Sequence, residues 1–148
     1  MSFKVITPES IPPTSFRNPR IRLTKTGSIV INRSAAWLMG LKSGDKVIFA
    51  HSDENPDDWY IAKHQQGFKL AEQQSGELAI YNKRLKGLFD DQFGTGTYGF
   101  KVSKNPTKHD GNPMWLLITA ERRQHLKDKQ HQLLRKEARL HIANDCKI

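Results

Sequence analysis

The chain has 148 residues, 36% of them hydrophobic, with a net charge of +9 and an isoelectric point near 9.8, which suits one globular domain with appendages. No apolar run is long enough to span a bilayer, and the N-terminus carries no basic region followed by an apolar stretch, so we expect neither a membrane span nor secretion. The single cysteine, Cys146, excludes an internal disulfide framework and a cysteine metal cluster, and a cytoplasmic location is the simplest expectation.

Residues 1–19 contain four prolines and show little periodicity. This composition predicts an extended, Pro-rich arm or linker that precedes the folded domain.

Residues 20–49 predict a strand, a turn, a second strand, a short helix, another turn and a third strand. Apolar and polar residues alternate over 21–24, and the run 28–31 continues with Ile29 and Ile31 around the β-branched Val30; a Thr-Gly turn signal separates the two runs. Asn32 suits the N-cap of the helix, and Gly40 suits a left-handed C-cap. One face of that helix is apolar and is formed by Ala35, Leu38 and Met39. Such a short module cannot bury its own apolar faces, so it needs a second copy, from another chain or from its own.

From its turn glycine onward this segment resembles, without a gap, the swapped-hairpin DNA-binding modules of AbrB, MazE and SpoVT type. Those modules share a turn glycine, a strand ending in Ile-Pro, a helix ending in Leu-Gly-Leu and a following Gly-Asp-x-Val. The matching residues here are Gly27, Ile29, Ile31, Met39-Gly40-Leu41, Gly44-Asp45 and Val47. The resemblance covers residues 20–49, about a fifth of the chain, and implies a swapped-hairpin β-barrel and DNA binding.

The chain departs from this family at positions that bear on DNA binding. The family's proline is Asn32 here, its basic residue after the turn glycine is Ser28, and its exposed helix arginines correspond to Ala36 and Trp37. The implied fold is unaffected, because asparagine and proline both suit a helix start. A DNA-contacting site does not transfer directly, and the basic residues that remain in the segment are Arg20, Arg22, Lys25, Arg33, Lys42 and Lys46.

Residues 67–119 read as a degenerate second copy of residues 20–63, with its family-like part at 67–103. Gly76 follows Gly27 by 49 residues, and Asn82 precedes a second predicted helix that would bury Leu85, Leu88 and Phe89. In this alignment Phe68 and Leu70 take the parts of Ile21 and Leu23. Each copy continues with an Asn-Pro turn and a tryptophan-containing strand, at Trp59 and at Trp115. The alternative is that two β-rich halves share turn chemistry by chance.

Residues 120–148 predict a basic C-terminal helix. Leu126, Leu133 and Leu140 recur every seven residues with Leu134 beside them, a stripe too thin for a coiled coil. The helix would therefore dock on its own domain or on a partner chain.

The charge is unevenly distributed along the chain. Residues 20–49 carry six basic and one acidic residue, hence +5; residues 121–148 carry eight and four, hence +4. Residues 50–100 carry five basic and eight acidic residues, hence −3. Basic ends around an acidic middle suit a polyanionic partner that contacts one face, and nucleic acid is the commonest such partner. A solvated basic surface without a partner is the alternative.

Catalytic and metal-binding patterns are weak. The six histidines lack ligand spacing, and His109-Asp110 lacks a positioned nucleophile. The glycines of 94–99 run into a strand, whereas a phosphate-binding loop leads into a helix. The acidic loop 53–58 lacks the glycine and terminal glutamate of a calcium loop. We expect a non-enzymatic protein without metal or cofactor.

The sequence thus predicts an α+β, β-rich fold: a swapped-hairpin-like barrel over residues 20–119, internally duplicated or completed by a dimer, with a C-terminal helix. The expected function is an AbrB-like DNA-binding transcriptional regulator with double-stranded DNA as partner. The expected DNA-binding residues are Arg20, Arg22, Lys25, Arg33, Trp37 and Lys42. The alternative is a protein–protein module, antitoxin-like or a scaffold subunit, that uses Trp37 and the C-terminal helix to form a homodimer or to bind another protein.

Overall fold

The computed structural model describes residues 18–145, with side chains described as far as residue 139, so the predicted Pro-rich arm lies outside this part except for Asn18 and Pro19. Within it the chain forms ten strands and three helices. The strands are β1 (Arg20–Leu23), β2 (Ser28–Ile31), β3 (Lys46–His51), β4 (Trp59–Lys63), β5 (Phe68–Lys69), β6 (Ala71–Glu72), β7 (Leu78–Tyr81), β8 (Tyr98–Val102), β9 (Thr107–His109) and β10 (Asn112–Ile118). The helices are α1 (Arg33–Met39), α2 (Lys83–Phe93) and α3 (Ala120–Asp145).

The strands form one antiparallel sheet that nearly closes on itself. Its order is β5-β3-β4-β10-β8-β1-β2-β7-β6, and β9 extends the sheet beside β10. The two end strands, β5 and β6, are separated along the chain only by Leu70. One continuous segment, 68–72, therefore joins both ends of the sheet into a β-barrel. The predicted α+β, β-rich barrel with a C-terminal helix is confirmed.

The strand pairing has the twofold symmetry that two copies of one unit would produce. Where β2 meets β7, Val30 pairs with its own counterpart Ala79, which lies 49 residues later. On either side of this pair, Ile29 pairs with the counterpart of Ile31, and Ile31 pairs with the counterpart of Ile29. Where β4 meets β10, Tyr60 pairs with Leu116 in the same way, 56 residues later. Each of these two seams lies on a pseudo-twofold axis, which relates the first strand–helix–strand unit to the second.

The register at the start of the second unit differs from the sequence alignment by two residues. Ala71 pairs with β7 as Arg22 pairs with β2, so Leu70 takes the place of Ile21. Leu70 and Ile21 are both fully buried. Phe68 instead lies on β5 and pairs with β3, so its expected correspondence to Ile21 is wrong. The sequence pattern could not reveal this two-residue shift, because Phe68 and Leu70 are both apolar and belong to the same run of alternating residues.

Both short helices begin at the predicted asparagine caps. The Oδ1 of Asn32 accepts a hydrogen bond from the backbone N–H of Ala35 at 2.8 Å, and Asn82 accepts from Leu85 at 3.0 Å. These bonds satisfy helix donors that would otherwise lack a partner. The first helix ends at Gly40 in the left-handed conformation, with φ of 66°, as predicted.

The barrel core is aromatic on the α2 side. Phe89 is fully buried, and its ring centroid lies 4.6 Å from that of Trp59, 5.4 Å from that of Phe49 and 6.1 Å from that of Phe100. Leu88, one position earlier, is 59% exposed, so the prediction that it faces the core is wrong. The core beneath α2 is already filled by the aromatic rings, which leaves Leu88 at the helix edge.

As far as residue 139, helix α3 contacts the barrel through its first turns. Arg122 donates from Nε to the carbonyl of Phe93 at 2.8 Å and from Nη2 to that of Thr95 at 3.1 Å, and it lies over the Tyr98 ring, 4.4 Å from its centroid. Every residue from 127 to 139 is exposed. Within the described residues no helix has the length and apolar character needed to cross a membrane.

Candidate nucleic-acid interface

Two of the predicted residues, Arg20 and Arg22, lie on the outward side of β1 and line a groove of about 390 Å³, here called the β1 groove. Thr97 and Glu77 also line it. Both arginines are exposed, and Arg22 stands opposite Gly99 on β8. A guanidinium here can reach a phosphate or another anion without displacing packed atoms.

Three further predicted residues, Arg33, Trp37 and Lys42, line a second groove of about 690 Å³ between α1 and the β6–β7 hairpin, here called the α1 groove. Arg33 and Lys42 are exposed and Trp37 is half-buried. Glu72 lines the same groove. The aromatic plane and the two cations therefore face one concave surface.

Lys25, the last of the six, lies in the β1–β2 turn. Its backbone N–H donates to Oγ1 of Thr97 at 3.1 Å, which fixes the turn against the β1 groove. The two grooves adjoin at the β6–β7 turn, because Gly76 lines the α1 groove and Glu77 lines the β1 groove. The structure thus brings the six predicted residues onto one continuous surface, although it interleaves them with Glu72 and Glu77.

The first residue of each short helix lies on the hairpin turn of the other unit. A Cβ built on Gly76 would stand 2.6 Å from Nη2 of Arg33, and one built on Gly27 would stand 2.7 Å from Cγ of Lys83. Both glycines have positive φ, 83° and 98° respectively. Only glycine tolerates that backbone together with so close an approach. The pseudo-twofold axis therefore places a basic side chain over each turn.

Sequence reasoning missed three basic residues near this surface: Lys83, Arg84 and Lys101. The first two open α2 beside the β1–β2 turn, where the backbone N–H of Asn82 donates to the carbonyl of Gly27 at 3.3 Å. Lys101 pairs with Arg20 across β8 and β1. The duplication offered the signal for Lys83, because Asn82-Lys83 aligns with Asn32-Arg33.

Acidic side chains neutralise part of this surface. Glu121 at the start of α3 lies 3.1 Å from Lys101 and 3.9 Å from Arg20. All three side chains are at least half exposed, so these ion pairs are weak and salt-sensitive.

Lys42 is held in its turn by Asp45. The backbone N–H of Lys42 donates to Oδ2 of Asp45 at 2.8 Å, and the ammonium of Lys63 lies 3.3 Å from the same oxygen. The backbone hydrogen bond lowers the pKa of the Asp45 carboxyl, and Lys63 adds to that effect while burial opposes it. The Gly-Asp turn shared with the resembling family therefore presents Lys42 at the rim of the α1 groove.

The family departures have structural explanations. Ser28, at the place of a basic residue, is buried and its hydroxyl lies 2.6 Å from that of Thr24. Ala36 is also buried, with 8% exposure, so a charged side chain at either position would need repacking.

The described residues contain no group of three or more histidine, cysteine, aspartate or glutamate side chains placed to hold a metal ion. The chain matches no protein-family model, and neither the curated proteins nor the solved structures include a significant match. The features of this chain that bear on its function are therefore those of the surface itself.

Proposed function

We propose that this protein is a non-enzymatic, AbrB-like transcriptional regulator that binds duplex DNA through the surface formed by the β1 groove, the α1 groove and the β1–β2 turn. The observation that carries the proposal is the pair of basic helix starts: Arg33 on Gly76 and Lys83 on Gly27. Neither helix has an acidic residue in its first turn. A lysine at the start of α2 opposes the helix dipole, and an anion bound there would offset that cost.

The placement of the two basic helix starts supports a polyanionic duplex as partner. They lie beyond opposite ends of β2, which spans four residues, so the surface carries cations at two separate points. Duplex DNA presents phosphates along both of its strands, and a surface with two such points can contact more than one phosphate. Because the family's exposed helix arginines are absent, DNA shape and deformability would contribute more to selectivity than base-edge hydrogen bonds.

The test compares two triple variants that each remove three positive charges. Replacing Arg22, Lys25 and Arg33 by alanine should weaken binding to random duplexes without changing sequence preference, because phosphate contacts carry no base information. The matched control replaces Lys69, Lys104 and Lys108, which are exposed residues outside both grooves. Equal weakening by the two variants would show that net charge alone attracts DNA, and it would contradict the assigned surface.

A protein–protein module remains the second candidate because of α3. Leu133 and Leu134 are 60% and 55% exposed on a helix that leaves the barrel. Absence of any duplex shift at low salt, with folded protein in the assay, would favour this candidate over DNA binding.

A further inference from the structure

A third groove lies between α2 and strands β3, β4 and β5, and it shares no lining residue with the other two. We call it the α2 groove; its volume is about 640 Å³ and its main lining residues are Phe49, His51, Trp59, Phe68, Leu88 and Asp91. Leu88 is among the most exposed large apolar residues of the barrel. Phe49 and Phe68 are partly exposed, so this groove offers solvent-accessible apolar side chains beside Leu88.

The groove is preformed rather than collapsed. The indole N–H of Trp59 donates to Oε1 of Gln92 at 2.9 Å, and Nε2 of Gln92 donates to the carbonyl of Pro56 at 2.9 Å. The His51 ring centroid lies 5.1 Å from that of Trp59. These contacts fix the wall before any partner arrives, which lowers the entropic cost of binding.

Helix α3 of the same chain exposes two apolar side chains that could fill such a groove. Leu133 and Leu134 project from the exposed segment 127–139. No proline or glycine interrupts α3 from 120 to 145, so the helix has no break at which it could fold back onto its own barrel. These leucines are therefore available to another molecule and not to the groove of the same chain.

The charge of α3 favours docking into the α2 groove over pairing with a second copy of α3. Segment 127–139 carries five basic and two acidic residues, hence +3. Two copies of this segment packed side by side would repel each other. The lining of the α2 groove includes no lysine or arginine, and Asp91 is exposed there. A basic helix with two apolar side chains suits that surface.

We propose that this protein forms a homodimer in which the α3 segment 127–139 of each copy docks into the α2 groove of the other, with Leu133 and Leu134 against Leu88 and the aromatic wall. This inference does not depend on DNA binding. The reciprocal arrangement doubles the contact area, which a stable interface needs, since such interfaces bury about 1,200–2,000 Å² in total. Charge complementarity adds to the association rate and makes the dimer salt-sensitive.

Sedimentation velocity on the full, nuclease-treated chain over a concentration series tests the proposal. The wild type should show a monomer–dimer equilibrium. Leu88→Glu and the double variant Leu133→Glu/Leu134→Glu should each weaken the dimer about tenfold or more, because each buries a charge at the centre of the contact. Two controls should leave it intact: Tyr81→Glu, which alters a 68% exposed residue on β7, and Gln132→Glu, on the opposite side of α3.

Mixing the two disrupted variants distinguishes docking of α3 into the α2 groove from helix–helix pairing. Leu88→Glu retains a working helix and the double variant retains a working groove, so the mixture should form a heterodimer through one restored contact. A Leu88→Glu variant that dimerises like the wild type would show helix–helix pairing and overturn the proposal. A wild type that stays monomeric at all concentrations would overturn it as well. Circular dichroism of each variant verifies that it is folded.

Discussion

The guanidinium of Arg33 lies directly over the backbone of Gly76, so close that a Cβ at position 76 would stand 2.6 Å from Nη2. The two residues come from different units of the barrel and from opposite sides of the β2–β7 seam. A helix start in one unit is thus seated on a hairpin turn of the other. This exchange joins the two halves and holds a basic side chain at the point where the two grooves adjoin.

Replacing Gly76 by alanine should displace Arg33 and destabilise the fold by about 1–2 kcal/mol, because φ at this position is +83° and the added methyl group meets the guanidinium. DNA affinity should fall at the same time. Urea denaturation and fluorescence anisotropy measure the two effects. Gly44→Ala is the matched control, since φ there is +90° and no atom lies within 4 Å of the added Cβ. A control that weakens DNA binding equally would contradict the role of Arg33.

Replacing Gly87 by alanine should stabilise the protein by about 0.5–1 kcal/mol. Gly87 lies inside α2, and a Cβ there meets no atom within 4 Å. Alanine restricts the unfolded chain and favours the helix at no steric cost. A thermal melt should therefore shift upwards, and a downward shift would mean that the added methyl group meets neighbouring atoms.

Replacing Asp90 by asparagine should destabilise the protein by about 3 kcal/mol, because it leaves the Lys86 ammonium buried without its counter-charge. Lys86 is only 3% exposed; it pairs with Asp90 and donates to the carbonyl of Gly96 at 3.0 Å. Tyr98 donates to the same carboxylate, and burial together with that carboxylate raises the pKa of the phenol.

Two comparisons, both measured by chemical denaturation, test whether the buried Lys86 charge causes the loss of stability in Asp90→Asn. Asp91→Asn, at the exposed neighbouring position, should change stability by less than about 0.5 kcal/mol. Adding Lys86→Met to Asp90→Asn should recover part of the loss, because no unpaired charge is then buried. A double variant that is less stable than Asp90→Asn alone would argue against the charge-burial explanation.

Asp45 should make stability fall as the solution becomes acidic. Its pKa is lower in the folded protein than the ordinary value of 3.8, so the ionised carboxyl stabilises the fold above that value and the contribution is lost as pH falls through the folded pKa. Asp45→Asn should be less stable than wild type at neutral pH, and the gap should narrow as pH drops below about 4. Denaturation curves at several pH values measure this, with Asp53→Asn in an exposed loop as control. A gap that stays constant with pH would exclude the proposed linkage.

The sequence predicted the parts of the fold that local chemistry encodes. Asparagine caps, the left-handed Gly40 and the alternation of Ile21 and Leu23 with exposed neighbours each act within a few residues, and each lies where it was expected. The strand around Ile29 was also expected, but all four of its residues are buried. The exposure of Leu88 was not predictable, because helical spacing cannot show that Phe89 and its aromatic neighbours already fill the core.

The candidate site was predictable residue by residue but not as a surface. Arg20, Arg22 and Arg33 are visible as charges in the sequence. The sequence does not show that Glu77 from the other unit lies among them, or that Lys83 is the counterpart of Arg33. Those neighbours follow from the pairing of β2 with β7, a contact between residues about 50 positions apart.

The measurement that tests the proposed function most directly is the salt dependence of binding to a labelled random duplex, followed by fluorescence anisotropy. Each phosphate contact releases condensed counterions, so four to six contacts predict a log–log slope of about −4 to −5. The Arg22, Lys25 and Arg33 triple variant should flatten that slope by up to about 3. Folded wild-type protein that binds no duplex at low salt, or a slope unchanged in the triple variant, would contradict DNA binding through this surface.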